Sequence, residues 1–246
     1  MGWSVRVVGV GDAFTAQYFN ACLLVECEGT RLLVDAPPAL ARALKSLGAS
    51  GGPTVGLDEI DHVLITHLHG DHCGGLEQLL FWRRFVTRNK CKLYAIREVL
   101  ADLWSGRLRG GMDTLMLPDH STQALTLEDY ADVVPLDPGK TTVGPLSIDW
   151  RPTVHHIPTS ALKITAAGHT FGYSADTAFD PTLIEWLAAS ELFFHETNLG
   201  VHTPLASLVS LPEDVRDRMR LIHYPDFHDV DGSPIPCARE GDRYEL

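Results

Sequence analysis

No apolar run in this 246-residue chain reaches the roughly 18 residues that a membrane span requires, so no membrane partner is expected. Cysteine is scarce and unpatterned. Cys22, Cys27, Cys73, Cys91 and Cys237 are odd in number and contain no C-x-x-C. That excludes a disulfide framework and predicts a reducing, cytoplasmic setting. The start, Met1–Arg6, enters a strand without a signal-peptide core, which agrees with that setting. Positive charge is also short, with 20 Lys and Arg against 32 Asp and Glu, a formal charge of −12. A grip on long nucleic acid needs a basic footprint, so none is expected. Internal repeats and low-complexity segments are missing too.

What the chain does have is a dense group of metal-ligand side chains. Ile65-Thr66-His67-Leu68-His69-Gly70-Asp71-His72 reads H-x-H-x-D-H, with His67, His69, Asp71 and His72 in six consecutive positions. It follows the apolar run Val63-Leu64-Ile65, a predicted buried strand, and precedes Gly74-Gly75 and a helical pattern. Strand-to-helix loops commonly present functional groups from a rigid scaffold. Imidazole and carboxylate suit zinc and related divalent metals. In extended chain residues i and i+2 point the same way, so His67 and His69 can grip one ion. Asp71 and His72 come after the turn and point elsewhere, which suits a second ion close by.

T-H-L-H-G-D-H resembles the signature of the metallo-β-lactamase superfamily, and the resemblance extends roughly from residue 5 to 228. It implies an α/β fold, a four-layer αββα sandwich of two mixed sheets flanked by helices, with a two-metal site on its open edge. The length suits one domain, 1–246.

Ser4–Val10 alternates and yields to a glycine turn at Gly9-Val10-Gly11-Asp12, which is no dinucleotide fingerprint. Asn20–Glu26 and Thr30–Asp35 read as a hairpin turning at Glu28-Gly29. Asp35 has two readings: support for the metal loop, as the resemblance implies, or a cap for the helix Leu40–Leu47. A Gly/Ser loop runs on to Gly56. After the motif come a helix Leu76–Val86, a strand Lys92–Ile96 and a helix Glu98–Trp104, broken by Arg107–Gly111. Met112–Thr126 has weak periodicity and is a candidate flap, with His120 on its surface. Strands are expected at Val133–Leu136, Leu146–Val154, Leu162–Ala167 and Thr170–Ser174, together forming the second sheet. A helix Pro181–Ala188, a strand Glu191–Phe194, a helix Pro212–Met219 and a last strand Leu221–His223 follow. The acidic, proline-rich tail from Asp226 is expected on the surface.

By resemblance the remaining ligands are His155, Asp176 and His223. H-x-I-P-T resembles the H-x-V-P-S segment of the ribonuclease Z branch, a register that favours His155 over its neighbour His156. Tyr173-Ser174-Ala175-Asp176-Thr177 resembles Y-S-G-D-T, with alanine in place of glycine and Asp176 as the bridging carboxylate. The resemblance then sorts His67, His69 and His155 to one ion and Asp71, His72 and His223 to another. Two divalent ions are expected, Zn2+ first and Mn2+ or Fe2+ as alternatives. Cys73 could add a ligand, though packing a helix start is the simpler role.

Phe194-His195-Glu196-Thr197 and Val201-His202-Thr203-Pro204 resemble the H-E-A-T and H-S-T segments of ribonuclease Z and related phosphodiesterases. His202 is then general acid or phosphate contact, steadied by Glu196, and the catalytic set is Asp71, His202 and Glu196. The expected activity is phosphodiester hydrolysis of a small anionic or nucleotide substrate by metal-activated hydroxide. The alternative is a lactone, thioester or other acyl-ester hydrolase, because the same metal pair supports that chemistry. His155 and Asp176 are 21 residues apart, which leaves no room for a tRNA-gripping arm. Between Arg83 and Arg109 eight basic residues face two acidic ones, a local surplus read either as a solvated helix face or as an anion-attracting wall. A homo-oligomer is left open.

Overall fold

Two mixed sheets carry the molecule, and their strands come from the apolar runs of the sequence. The computed structural model describes residues 2–49, 52–139 and 141–246, so Ser50 and Gly51 of the expected Gly/Ser loop lie outside the described residues. The chain opens as a meander: β1 (Ser4–Gly9), β2 (Cys22–Cys27) and β3 (Thr30–Val34), paired antiparallel. Glu28 and Gly29 both take positive φ, 48° and 83°, the geometry of the tight hairpin expected there. The sheet continues in parallel through β4 (His62–Leu64) and β5 (Cys91–Ala95). A separate hairpin, β6 (Thr114–Met116) and β7 (Thr122–Ala124), precedes β8 (Ala131–Pro135), which pairs parallel with β5.

The second sheet comprises β9 (Thr141–Val143), β10 (Leu146–Pro152), β11 (Ser160–Ala166), β12 (His169–Tyr173), β13 (Leu192–Glu196) and β14 (Met219–Ile222). Its order is β14-β13-β12-β11-β10-β9, parallel at the β12, β13 and β14 end and antiparallel elsewhere. β15 (Arg243–Glu245) returns to pair with β1, giving the first sheet the order β15-β1-β2-β3-β4-β5-β8. All six residues of β1 and all five of β13 are buried, as strands covered on both faces must be. Val5, Val7, Leu23 and Val25 of one sheet share a single apolar core with Ile148, Leu162, Phe171 and Phe193 of the other. Helix Leu40–Ser46 packs against β1 and helix Pro181–Ala188 against β12 and β13, which makes the αββα sandwich expected. Among the described residues no helix is long and apolar enough to cross a membrane.

Three expectations need correction. The strand around Val133 belongs to the first sheet, because β8 pairs with β5; alternation reports which face a strand buries and nothing about which sheet it joins. Arg107–Gly111 does not break its helix. The chain continues through wide π turns at Trp104–Leu108 into a turn of α-helix at Arg109–Met112, since Leu108 and Met112 bury against the core. The tail is not merely superficial either. Ile235 and Ala238 are fully buried, and β15 covers the edge of β1.

Candidate metal centre

Every candidate ligand lies just past the C-terminal end of a strand: the H-x-H-x-D-H loop after β4, His155 after β10, Asp176 after β12 and His223 after β14. The loop is held from behind by Asp35, itself just past β3. Asp35 Oδ1 accepts from the Thr66 amide (2.8 Å), Thr66 Oγ1 donates to the same carboxylate (2.9 Å), and His72 Nδ1 donates to Oδ2 (2.8 Å). Having spent its proton on Asp35, Thr66 Oγ1 accepts from His67 Nδ1 at 3.0 Å. Both rings are therefore locked with Nε2 aimed at the site, as ligand imidazoles require. The following turn is tied to the same strand end, where Gly75 N donates to Ala36 O (2.7 Å). A Cβ at Gly75 would sit 2.1 Å from Pro37 O, so only glycine permits this approach.

The donor atoms fall into two groups. In the first, His67 Nε2 lies 3.1 Å from His69 Nδ1, which lies 3.3 Å from His155 Nε2. Asp176 Oδ2 stands 3.5 Å from His67 Nε2 and 4.0 Å from His155 Nε2. In the second, Asp71 Oδ2 is 3.3 Å from His72 Nε2 and 3.2 Å from His223 Nε2. Asp176 Oδ1 is 3.2 Å from His72 Nε2 and 3.6 Å from His223 Nε2. Tetrahedral ligands at zinc bond lengths are separated by about 3.3–3.4 Å, so these spacings are those of ligand sets. A hydrogen-bonded cluster explains them less well. His72 Nε2 and Asp176 Oδ1 are buried, face each other, and have no hydrogen-bond partner, a costly arrangement unless a cation satisfies both. His and Asp clusters that can hold divalent metal are therefore present, with one oxygen of Asp176 toward each.

Electrostatics separates the groups. Burial holds His67 down at about 3 and His155 at about 4, and it also lowers His69. Burial would lower His223 as well, but Asp176, Asp71 and Glu196 together outweigh it and push it up to about 10. His72 is raised in the same way, chiefly by Asp176 and Asp35 against the cost of burial. Asp71 is lowered because its bonds to His223 and His72 overcome desolvation. Glu196, ending β13, joins several of these parts. Its carboxylate accepts from the Thr177 amide, beside Asp176, and from His202 Nδ1 at 2.8 Å, with His223 Nδ1 3.7 Å away. The hydrogen bond to Glu196 raises His202 above its ordinary value. A cavity of about 690 Å³ opens over the centre, lined by His69, Asp71, Asp176, His202 and His223 among others.

The sequence profile of the Anti-Pycsar protein Apyc1 family matches residues 3–233. The chain belongs to that family. An Anti-Pycsar protein Apyc1 of Saccharibacillus brassicae is 34% identical over 232 residues, 91% of this chain and 90% of the relative. Another, of Bacillus phage 010DV004, is 34% identical over 237 residues, 90% of this chain and 89% of the relative. The metallo-β-lactamase fold protein YhfI of Bacillus subtilis is similar in structure, with a TM-score of 0.81 at 19% identity over 100% of both chains. The fold is that of the metallo-β-lactamase fold proteins.

Within this Apyc1-family chain the seven expected ligands do converge. His155, its side chain 1% exposed, sits in the first donor group. His156 is exposed and reaches His69 Nε2 at 3.0 Å from the outer side. Asp35 supports the loop and caps nothing; the N-cap of helix Leu40–Ser46 is Ala39, without a side-chain bond. Cys73 packs in the core with its thiol pushed up by burial to about 11, and joins neither donor group. The basic segment does not form a wall at the site. Arg83 is buried on Asp61, Arg84 bonds Asp129 O, Arg97 pairs with Asp137 and Arg109 with Asp113, while among the described residues no Lys or Arg lines the main cavity. Arg107 lines a side cavity together with His69, Glu98 and Asp102. The β6–β7 hairpin contributes nothing to the main cavity's lining, and His120 on it is exposed. Two contributors went unread in the sequence: Asp12, which accepts from Asn198 Nδ2 at 3.0 Å, and Asn198 itself. The G-x-G-D stretch was the available signal for Asp12, since a carboxylate after a strand end at this edge points toward the site.

Proposed function

We propose that this chain is a two-metal phosphodiesterase that opens a small phosphodiester, with a cyclic nucleotide as its substrate class. The observation that carries the reading is Asp176, whose two oxygens face two separate donor sets, with the His202–Glu196 pair beside them. His67, His69, His155 and Asp176 would hold one ion, and Asp71, His72, His223 and Asp176 the other. Zinc suits these His-rich sets best. Divalent ions held there supply Lewis acidity and a hydroxide nucleophile near neutral pH.

The side chains do the rest. Phosphodiester cleavage expels an alkoxide, which needs a proton. His202 donates Nδ1–H to Glu196 and so keeps Nε2–H for the leaving oxygen. Its raised pKa keeps that proton available near neutrality. Asp71 stays ionised beside His72 and His223, which suits a ligand and an acceptor that orients the attacking water. The segment from His155 to Asp176 is filled by β11 and β12, with no arm for a tRNA. With no Lys or Arg among the described residues that line the cavity, attraction for an anion falls to the bound ions, which favours a compact substrate over a long polyanion.

The test is zinc- or manganese-loaded protein offered 3′,5′-cyclic nucleotides, lactones and thioesters, with products separated by chromatography. Linear nucleoside monophosphate and about two metals per chain are expected. Acyl hydrolysis without phosphodiester turnover would replace this reading with the lactone or thioester one.

A further inference from the structure

The geometry points to Phe14 and Phe227 as the aromatic faces that hold the base of the nucleotide over the metal centre. This rests on the phosphodiesterase reading and names the part of the site that grips the non-reacting end of the substrate.

Phe14 is 91% exposed and Phe227 72% exposed, and both line the cavity that contains Asp176 and His202. A single exposed phenylalanine is ordinary. Two on the rim of one catalytic cavity, in a chain with a formal charge of −12, call for an occupant. The loops that carry them are fastened rather than loose. Phe14 N donates to Asp12 Oδ1 at 2.9 Å, and Asn20 Nδ2 donates to Asp12 O at 2.6 Å. Asp226, directly before Phe227, accepts from Thr15 Oγ1 and from Ala16 N (2.8 Å), so the two phenylalanine loops are cross-tied by one carboxylate. Tyr224 N donates to Val10 O (3.2 Å) beneath that tie. The ordering cost of presenting two bare rings is thus met before any ligand arrives.

The occupant must be planar, apolar on its faces, and short enough to keep a phosphodiester on Asp176 and His202. A nucleobase attached through ribose meets all three conditions. A cavity of about 690 Å³ also suits a mononucleotide. Stacking on an aromatic side chain is tolerant of base identity and substantial in size, because every base has a π face.

The experiment compares two substrates on metal-loaded protein: adenosine 3′,5′-cyclic phosphate, and methyl riboside 3′,5′-cyclic phosphate, which keeps the phosphodiester and lacks the base. Phe14→Ala and Phe227→Ala should each raise KM for the nucleotide about tenfold, with kcat within about twofold. The ratio of kcat/KM between the two substrates should collapse by the same factor, and Phe14→Trp should restore it. Equal effects on both substrates, or none, would overturn the stacking role while leaving the phosphodiesterase reading intact. Wild-type protein that cleaves neither compound would remove both. An unchanged KM together with loss of a dimer on sedimentation would assign the rim to a second copy of the chain, and the inference would be wrong.

Discussion

The two donor groups share Asp176 and little else. His67, His69 and His155 form a set of imidazoles that burial has already stripped of protons, two of them at about 3 and 4. Asp71, His72 and His223 are embedded in carboxylates, with Asp35 behind His72 and Glu196 behind His223, and His223 is pushed up to about 10. The first group waits for a cation with its lone pairs free. The second satisfies its carboxylates with protons until a cation replaces them. A two-metal site can therefore be built from unequal halves, one limited by donor geometry and the other by proton competition.

Asp176→Ala tests the shared point and should have the largest effect. Metal content should fall at both groups and phosphodiester turnover should drop by roughly 10³-fold. Elemental analysis with full metal retained would dismiss the bridge. His202→Ala should lower kcat by roughly 10²-fold on an alkoxide leaving group and much less on a p-nitrophenolate, with metal content unchanged. Glu196→Gln should move the alkaline limb of the kcat profile to lower pH. Its carboxylate holds His202's pKa up, so removing the charge releases the acid's proton sooner as pH rises.

The inequality of the halves makes a pH prediction of its own. As pH falls, protons return first to His72 and His223, whose pKa values are raised, and last to His67 and His155. Metal content titrated downward from neutrality should therefore pass through a one-ion plateau before the last ion leaves. Simultaneous loss of both ions would erase the distinction drawn above. Asp35→Ala sharpens the same point: it frees the His72 ring directly and should weaken the second ion about 10–100-fold, and the first ion less, because the carboxylate reaches His67 only through Thr66. Isothermal titration showing equal weakening at both sites would refute it.

The smallest expected effect is at Ala175, the alanine that stands where the resembled Y-S-G-D-T segment has glycine. Its φ is +50°, and Asp35 and His223 are left-handed as well, at +65° and +54°. Left-handed backbone costs an alanine roughly 1–2 kcal/mol, partly offset by the freedom glycine adds to the unfolded chain. Ala175→Gly should move Tm upward by no more than a few degrees and leave metal content alone. A large loss of metal would show that the methyl group itself positions Asp176.

Much of this centre was readable from local chemistry. The H-x-H-x-D-H spacing, a strand before it and a helix after it are short-range properties, and side-chain alternation puts His67 and His69 on one ion wherever the loop sits. The buried strands were equally legible, since a strand covered on both faces must be apolar throughout. Other features depend on partners far away in the chain, and only the tertiary structure decided them. Whether His155 or His156 turns inward follows from how the connection between β10 and β11 is seated on the loop after β4, where Ser160 N donates to Thr66 O. Val133 joined the first sheet because β5 offered the free parallel edge. The basic run from Arg83 to Arg109 looked like one surface, yet Arg83, Arg97 and Arg109 pair with Asp61, Asp137 and Asp113 and Arg84 bonds the Asp129 carbonyl, since a charge pairs with whatever the fold brings near it. Phe14 and Phe227 lie 213 positions apart and carry no periodic signal. They became a pair only when Asp226 tied their loops across the mouth of the site, a hydrogen-bonded contact that no local pattern of residues encodes.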